Sequence, residues 1–366
     1  MTHSSRRDFL KTSAIGVGAI ACNQAIAQTS SVSKQAIEQA QSILAQKSIE
    51  TTANWNDGLA HPIPFKNPFA QGKQRGLALG GGGTPLLSWY VGYALALKKA
   101  GVDLSTADVI VGTSAGSIFG AMLTSGHLWR LADELDIFAD LPKLFSILVP
   151  AKQPNLSQIR SQKAALTGKD ASPASIQYIG KTAMAASNPD GVDNHYKAIE
   201  KLLTSTAWPS EGMFTTAIDC FTGERVVVSK TSNVPINVAC AASSSAPGGA
   251  GPTFVKNRLC MDGGICQTST HSDVIVGVKK AIVISLGDGT VNEQNQGLRL
   301  SSLPDTVNQE IKMLVASGAQ TKHIVAGLPP GISHVDNFLD PKWIAPYLKY
   351  GHERGLADAS MMKAFW

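Results

Sequence analysis

The chain has 366 residues, of which 43% are hydrophobic and 16% charged, a mixture that buries a large core and excludes intrinsic disorder. Its 34 glycines and 18 prolines are too few for a collagen-like or low-complexity protein. The net charge of +5 falls to +3 once residues 1–27 are set aside, with Arg6, Arg7 and Lys11 against Asp8, a basic excess too weak to imply nucleic acid, and no nucleic-acid partner is expected.

Residues 5–11 read SRRDFLK and a modestly apolar stretch, 12–21, follows, which is the layout of a twin-arginine export signal. The stretch falls short of the roughly 20 residues that span a bilayer. Ala25-Ile26-Ala27 then supplies a small-x-small cleavage pattern ahead of Gln28. The expectation is a signal peptide over 1–27, engagement of the twin-arginine machinery, and a periplasmic or secreted mature chain. Cys22, after Ala19-Ile20-Ala21, offers a poorer lipoprotein-type alternative. Residues 28–50 have apolar positions near helical spacing and residues 51–74 contain Pro62, Pro64 and Pro68 without periodicity, so an N-terminal helix and arm is expected over 28–75.

From residue 76 the pattern changes. Residues 76–79 are a short apolar strand that runs into Gly80, Gly81, Gly82 and Gly83, and 85–100 read as an apolar helix stopped by Gly101. The unit recurs: 108–111 are apolar, Gly112-Thr113-Ser114-Ala115-Gly116 is a turn, and 117–124 read as a helix. Repeated strand, turn and helix imply a parallel sheet. Residues 127–207 show only helical patterns and are expected to form a cap insertion. Within it Trp129, Phe138 and Phe145 either line a lipid-facing lid or, as the better reading, pack on the sheet. Strands return at 213–218, 225–229, 258–261 and 280–286, and residues 291–366 are expected as a C-terminal helical extension of a domain spanning 76–290.

Three places carry chemistry. Gly112-Thr113-Ser114-Ala115-Gly116 fits G-x-S-x-G, in which small neighbours let a serine sit on a strained strand-to-helix turn with its hydroxyl exposed. Gly81, Gly82 and Gly83, on the preceding strand-to-helix turn, present bare backbone N–H groups suited to an oxyanion hole. Neither a dinucleotide fingerprint nor a P-loop fits, because Pro85 and Leu86 stand where a third glycine is needed and no Gly-Lys-Ser/Thr occurs. For a base there are two readings. Asp262 ends a strand before Gly263 and Gly264, a sharp turn that projects its carboxylate; alternatively His271 or His334 completes a Ser-Asp-His triad. Cys220, Cys240, Cys260 and Cys266 lack metal-ligand spacing, so no metal is expected, and Cys260 with Cys266 offers a pair for an oxidising compartment.

In order along the chain, the glycine loop, the GTSAG elbow, residues 241–252 with Ser243, Ser244, Pro247 and Gly248, the Asp262-Gly263-Gly264 turn and the Ser285-Leu286-Gly287 strand end resemble the landmarks of the patatin-like acyl hydrolases. The resemblance implies a three-layer α/β/α fold and hydrolysis of carboxylic esters of lipids by a Ser/Asp dyad through an acyl-enzyme. It implies Ser114 as nucleophile, Asp262 as proton acceptor, the N–H groups of Gly81, Gly82 and Gly83 as oxyanion hole, no cofactor, and transient contact with a membrane surface. One departure stands out: the family carries a basic residue and a glycine after its loop, and this chain has Pro85 and Leu86. Outside the enzymes, the competing reading is an exported lipid-binding protein of weak catalytic power.

Overall fold

The computed structural model of the protein describes residues 56–141, 154–168, 170–290, 293–301 and 303–366. The signal peptide expected over 1–27, with Cys22, the helix over 28–50, the start of the arm, and Phe145 of the cap lie outside the described residues.

Strand β1 (Arg75–Leu79) leads through the glycines into α1 (Gly83–Lys99), and β2 (Val109–Gly112) turns at Ser114 into α2 (Ala115–Thr124). Both strands are short apolar runs buried on both faces, as in sheets covered by helices on either side. The cap follows as α3 (Leu128–Asp140), α4 (Leu156–Leu166), α5 (Pro173–Ala185) and α6 (Pro189–Leu203), with no strand among the described residues. Leu128, Leu131 and Leu135 of α3 are buried and Phe138 packs on the core, whereas Trp129 is 60% exposed. The rest of the chain forms β3 (Met213–Asp219), β4 (Arg225–Ser229), α7 (Ile236–Ser243), β5 (Thr253–Val255), β6 (Arg258–Asp262), β7 (Lys280–Ser285), α8 (Val307–Ala316), β8 (Gln320–Val325) and α9 (Ile344–Phe365).

The sheet has the order β5-β6-β3-β2-β1-β7-β8, with β4 also paired to β3. Its centre, β8-β7-β1-β2-β3, is parallel, and β4, β5 and β6 join antiparallel. Alternation of side chains divides the strands between two cores. Leu77, Leu79, Ile110, Ile282 and Ile284 pack with Trp89, Phe119 and Tyr347 from α1, α2 and α9. Ala78, Val109, Val111, Ala281 and Val283 face the opposite way, toward Leu314 of α8. The result is the three-layer α/β/α arrangement with a mainly parallel sheet.

Residues 291–366 are not wholly helical as expected. They contribute β8, which pairs in parallel with β7 from Lys280↔Gln320 to Ser285↔Val325. Its sequence, QTKHIV, lacks the buried apolar run of the central strands because it lies at the sheet edge, half-exposed. The three-residue β5 is likewise too short to leave a periodic signal.

Candidate active site

Strand β3 sets the distance between the two ends of the site. Gly112, at the end of β2, lies opposite Thr215, and Asp262, at the end of β6, lies opposite Ala217. Because β2 runs parallel and β6 antiparallel to β3, their C-terminal ends converge on Thr216. There Thr113 Oγ1 is 2.6 Å from Thr216 Oγ1, and a Cβ added to Gly263 would stand 2.5 Å from Thr216 O. Ser114 and Asp262 become neighbours through this register.

Ser114 has φ 52° and ψ −118°, a conformation that costs a non-glycine residue on the order of 1–3 kcal/mol. The bend closes because its neighbours lack side chains: a Cβ on Gly112 would run into Gly116 O, and one on Gly116 into Leu79 O. Side chains then hold it. Ser114 N–H donates to Ser243 Oγ at 2.9 Å, and Ser117 Oγ donates to Ser114 O at 2.7 Å. Ser243, at the C-terminus of α7, therefore supports the elbow, a role that its sequence neighbourhood marked without specifying.

Asp262 is 1% exposed. Its Oδ1 accepts from Gly264 N–H at 2.8 Å, while Oδ2 is buried without a hydrogen-bond partner. Burial pushes its pKa up from 3.8 to about 6, opposed by the Gly264 N–H and by the Ser114 side chain. Ser114 thus lies near enough to favour the charged carboxylate, yet short of a hydrogen bond of ordinary geometry. Such bonds are often loose before substrate binds.

The glycine loop lies against the serine: a Cβ on Gly81 would be 3.1 Å from Ser114 Cβ. Gly80 anchors the loop through its N–H to Ile284 O at 2.9 Å and its carbonyl to Tyr90 Oη at 3.0 Å. Beyond that anchor, no acceptor among the described residues takes the N–H of Gly81, Gly82 or Gly83. The same holds for Ala115, the first residue of α2, whose N–H is a further donor of the kind expected next to an elbow serine. Gly83, at φ 56°, needs the left-handed freedom of glycine and has no room for a Cβ beside Phe338 O. Pro85 does not disturb the loop. It falls in the first turn of α1, where a backbone N–H has no helical acceptor to lose.

A small cleft of about 40 Å³ separates Gly81, Gly82, Asp262 and Gly264 from a wall that includes Leu286, Leu298, Pro304 and Phe338. Among the described residues no histidine is hydrogen-bonded to Ser114 or Asp262. His271 Nε2 lies 2.9 Å from Gly263 O, and His334 Nδ1 is 2.8 Å from Asn295 O. His195, from the cap, reaches Ser244 Oγ at 3.0 Å. All four described cysteines are free and buried, Cys260 and Cys266 included. No group of three His, Cys, Asp or Glu side chains among the described residues is arranged to hold a metal ion.

The sequence profile of the patatin-like phospholipases matches residues 77–274, from the strand before the glycine loop to beyond the Asp-Gly-Gly turn. The chain belongs to the patatin-like phospholipase family. Members of that family are lipid acyl hydrolases, and as a patatin-like phospholipase the chain is a carboxylic ester hydrolase. Among solved structures it is similar to VipD from Legionella pneumophila, at 13% identity and TM-score 0.40 over 86% of this chain and 70% of that one. It is also similar to ExoU in its complex with SpcU from Pseudomonas aeruginosa, at 17% identity and TM-score 0.34, and to human GIVD cytosolic phospholipase A2, at 12% and 0.36. Those two matches cover 80% and 81% of this chain, which spans 53% and 59% of theirs. No curated protein matches it.

Proposed function

We propose that this patatin-like phospholipase is an exported serine acyl hydrolase that cleaves carboxylic esters of lipids with Ser114 as nucleophile and Asp262 as its base. The observation that carries the reading is the meeting of a strained elbow serine with a buried carboxylate whose Oδ2 has no partner, beside a loop of free N–H groups.

In the first step Ser114 Oγ attacks the ester carbonyl carbon while its proton passes to Asp262 Oδ2. The carbonyl oxygen takes up negative charge and accepts from the N–H groups of the Gly81–Gly83 loop, which are already fixed in place and so need no reorganisation. The tetrahedral species collapses as the protonated Asp262 gives its proton to the departing alcohol oxygen, leaving the acyl group on Ser114. Water then attacks the acyl carbon, again losing its proton to Asp262. Collapse returns that proton to Ser114 Oγ and releases the carboxylic acid. A pKa near 6 leaves Asp262 ionised at neutral pH while making it a stronger base than a solvated carboxylate.

The family supports the substrate class, and the residue pattern SRRDFLK with Ala25-Ile26-Ala27 supports the reading of export. Labelling with a fluorophosphonate tests the chemistry without knowledge of the natural substrate. The wild-type protein is expected to be labelled at Ser114, and Ser114→Ala to abolish both labelling and turnover of a nitrophenyl ester. Asp262→Asn should lower turnover by several orders of magnitude while keeping the shape of the site. A folded Asp262→Asn protein that hydrolyses the ester at the wild-type rate contradicts the assignment.

A further inference from the structure

Behind the Asp262 turn lies a line of buried groups that the reaction steps do not use. Arg225, on β4, grips Asp273 through two bonds of 2.7 Å, and both side chains are almost wholly buried. Arg225 Nη1 also lies 3.2 Å from His271 Nδ1, and His271 Nε2 lies 2.9 Å from Gly263 O. These contacts determine where the ring carries its proton. A guanidinium nitrogen only donates, so Nδ1 must accept; the proton then resides on Nε2, where the Gly263 carbonyl, which only accepts, receives it. The two ends of the ring require the same tautomer.

The Gly263 carbonyl and the Gly264 N–H are the two ends of one planar peptide unit. Fixing the oxygen at one end therefore orients the N–H at the other, which donates to Asp262 Oδ1 at 2.8 Å. Flanked by two glycines, this peptide has unusual freedom to rotate unless something holds it. His271 is placed to do so at some conformational cost, with φ 48° and ψ 42° in the left-handed region.

We propose that His271 is a positioning residue for the dyad: held by Arg225, its Nε2–H pins the Gly263-Gly264 peptide so that Oδ1 of Asp262 is occupied and Oδ2 is left open toward Ser114. The inference rests on the Ser114 and Asp262 assignment above and gives His271 a task different from that of a triad base. Burial and the Arg225 charge push the ring's pKa down to about 4, opposed by the Gly263 carbonyl and Asp273, so the neutral tautomer persists through the neutral range. Arg225 and Asp273 face the ring, and Glu310 accepts from Thr268, Ser272 and Thr270 of the same loop. The N–H groups of Arg225 are all given to Asp273, His271, His61 O and Pro62 O, and Glu310 is engaged by the loop, so among the described residues only His271 donates a side-chain hydrogen bond to Gly263 O.

The test compares His271→Met with His271→Gln. Both carry the same left-handed strain and similar length, but only glutamine retains a donor for Gly263 O and an acceptor for Arg225. With kcat referred to the sites titrated by fluorophosphonate, and thermal melting recorded for each variant, His271→Met should lower kcat about 10- to 100-fold with KM for a soluble nitrophenyl ester little changed. Its acid limb should move to higher pH, because Asp262 loses a well-aimed N–H. His271→Gln should recover most of the rate and return the limb toward wild type. Nitrogen-15 shifts of the wild-type ring should report the Nε2–H tautomer from pH 5 to 8. The proposal is overturned by an Nδ1–H ring, by a His271→Met protein with wild-type kcat and acid limb, or by two variants equally impaired with the limb unmoved. Absence of any ester turnover in the wild type would instead strike at the hydrolase reading, with the ring tautomer still measurable.

Discussion

A carboxylate in water is a poor base for a serine hydroxyl, and the site corrects this at the scale of single residues by removing water from Asp262. Burial disfavours the charged form and carries the pKa from 3.8 to about 6, while the Gly264 N–H and the neighbouring Ser114 limit the rise. The sign of the consequence is fixed, since the reactive form is the carboxylate. In the free enzyme kcat/KM for a soluble ester should be level above pH 7 and fall about tenfold per unit below about pH 6. Rates measured from pH 4 to 8 check it; a limb near pH 4 would mean that the base is a solvated carboxylate. The Gly263 and Gly264 pair acts at the same scale, one glycine fitting against Thr216 and the other supplying the N–H to Oδ1.

At the scale of elements, the helix that begins at the oxyanion loop is braced by the last helix of the chain. α1 and α9 approach so closely that Gly92, Gly351 and Gly355 have no room for side chains: a Cβ on Gly351 would run into Trp89 O, and one on Gly355 would stand 2.6 Å from Tyr93 O. Alanine at position 351 gains about 1 kcal/mol of helix propensity but meets backbone that cannot rotate aside. Gly351→Ala is therefore expected to destabilise the protein, by roughly 1–3 kcal/mol net of that gain, in urea unfolding. Gly191→Ala, in α6 where a Cβ meets only ordinary van der Waals neighbours at 3.4 Å, should be neutral or stabilising. Equal effects of the two substitutions would show that the close crossing of α1 and α9 contributes nothing.

On the scale of the whole molecule, the assembled chain has to reach its compartment folded if the twin-arginine reading holds. Cys220, Cys240, Cys260 and Cys266 are free thiols buried in the fold. Among the described residues no helix is long and apolar enough to cross a membrane. Replacing Arg6 and Arg7 together by lysine should leave full-length precursor in the cytoplasm, whereas the wild-type mature chain should begin at Gln28. Cell fractionation and N-terminal mass spectrometry check both. Unchanged periplasmic yield of the double variant would exclude this route, and a lipidated Cys22 at the new N-terminus would support the lipoprotein alternative.

Some of this was written in short stretches of sequence because its cause is local. The elbow around Ser114 and the loop of Gly81, Gly82 and Gly83 are visible as motifs since only residues without a Cβ fit where backbone meets backbone, as at Gly112 and Gly116. The central strands are visible since a strand covered on both faces is apolar throughout. By contrast β8, polar and half-exposed, becomes a strand through the backbone of β7 and has no such signature. Chain order also admits His271 in a triad, because residue type and order say nothing of direction; Arg225, distant in sequence, holds it toward Gly263 instead. The meeting of Ser114 with Asp262 depends on the register of β2 and β6 along β3, and the raised pKa of Asp262 depends on what buries it. Sequence by itself determined which residues were able to do the chemistry, since steric demand and apolar runs are properties of neighbours along the chain. Only the tertiary structure decided which of them face one another, since pairing register and desolvation arise from groups that the chain brings together across long separations.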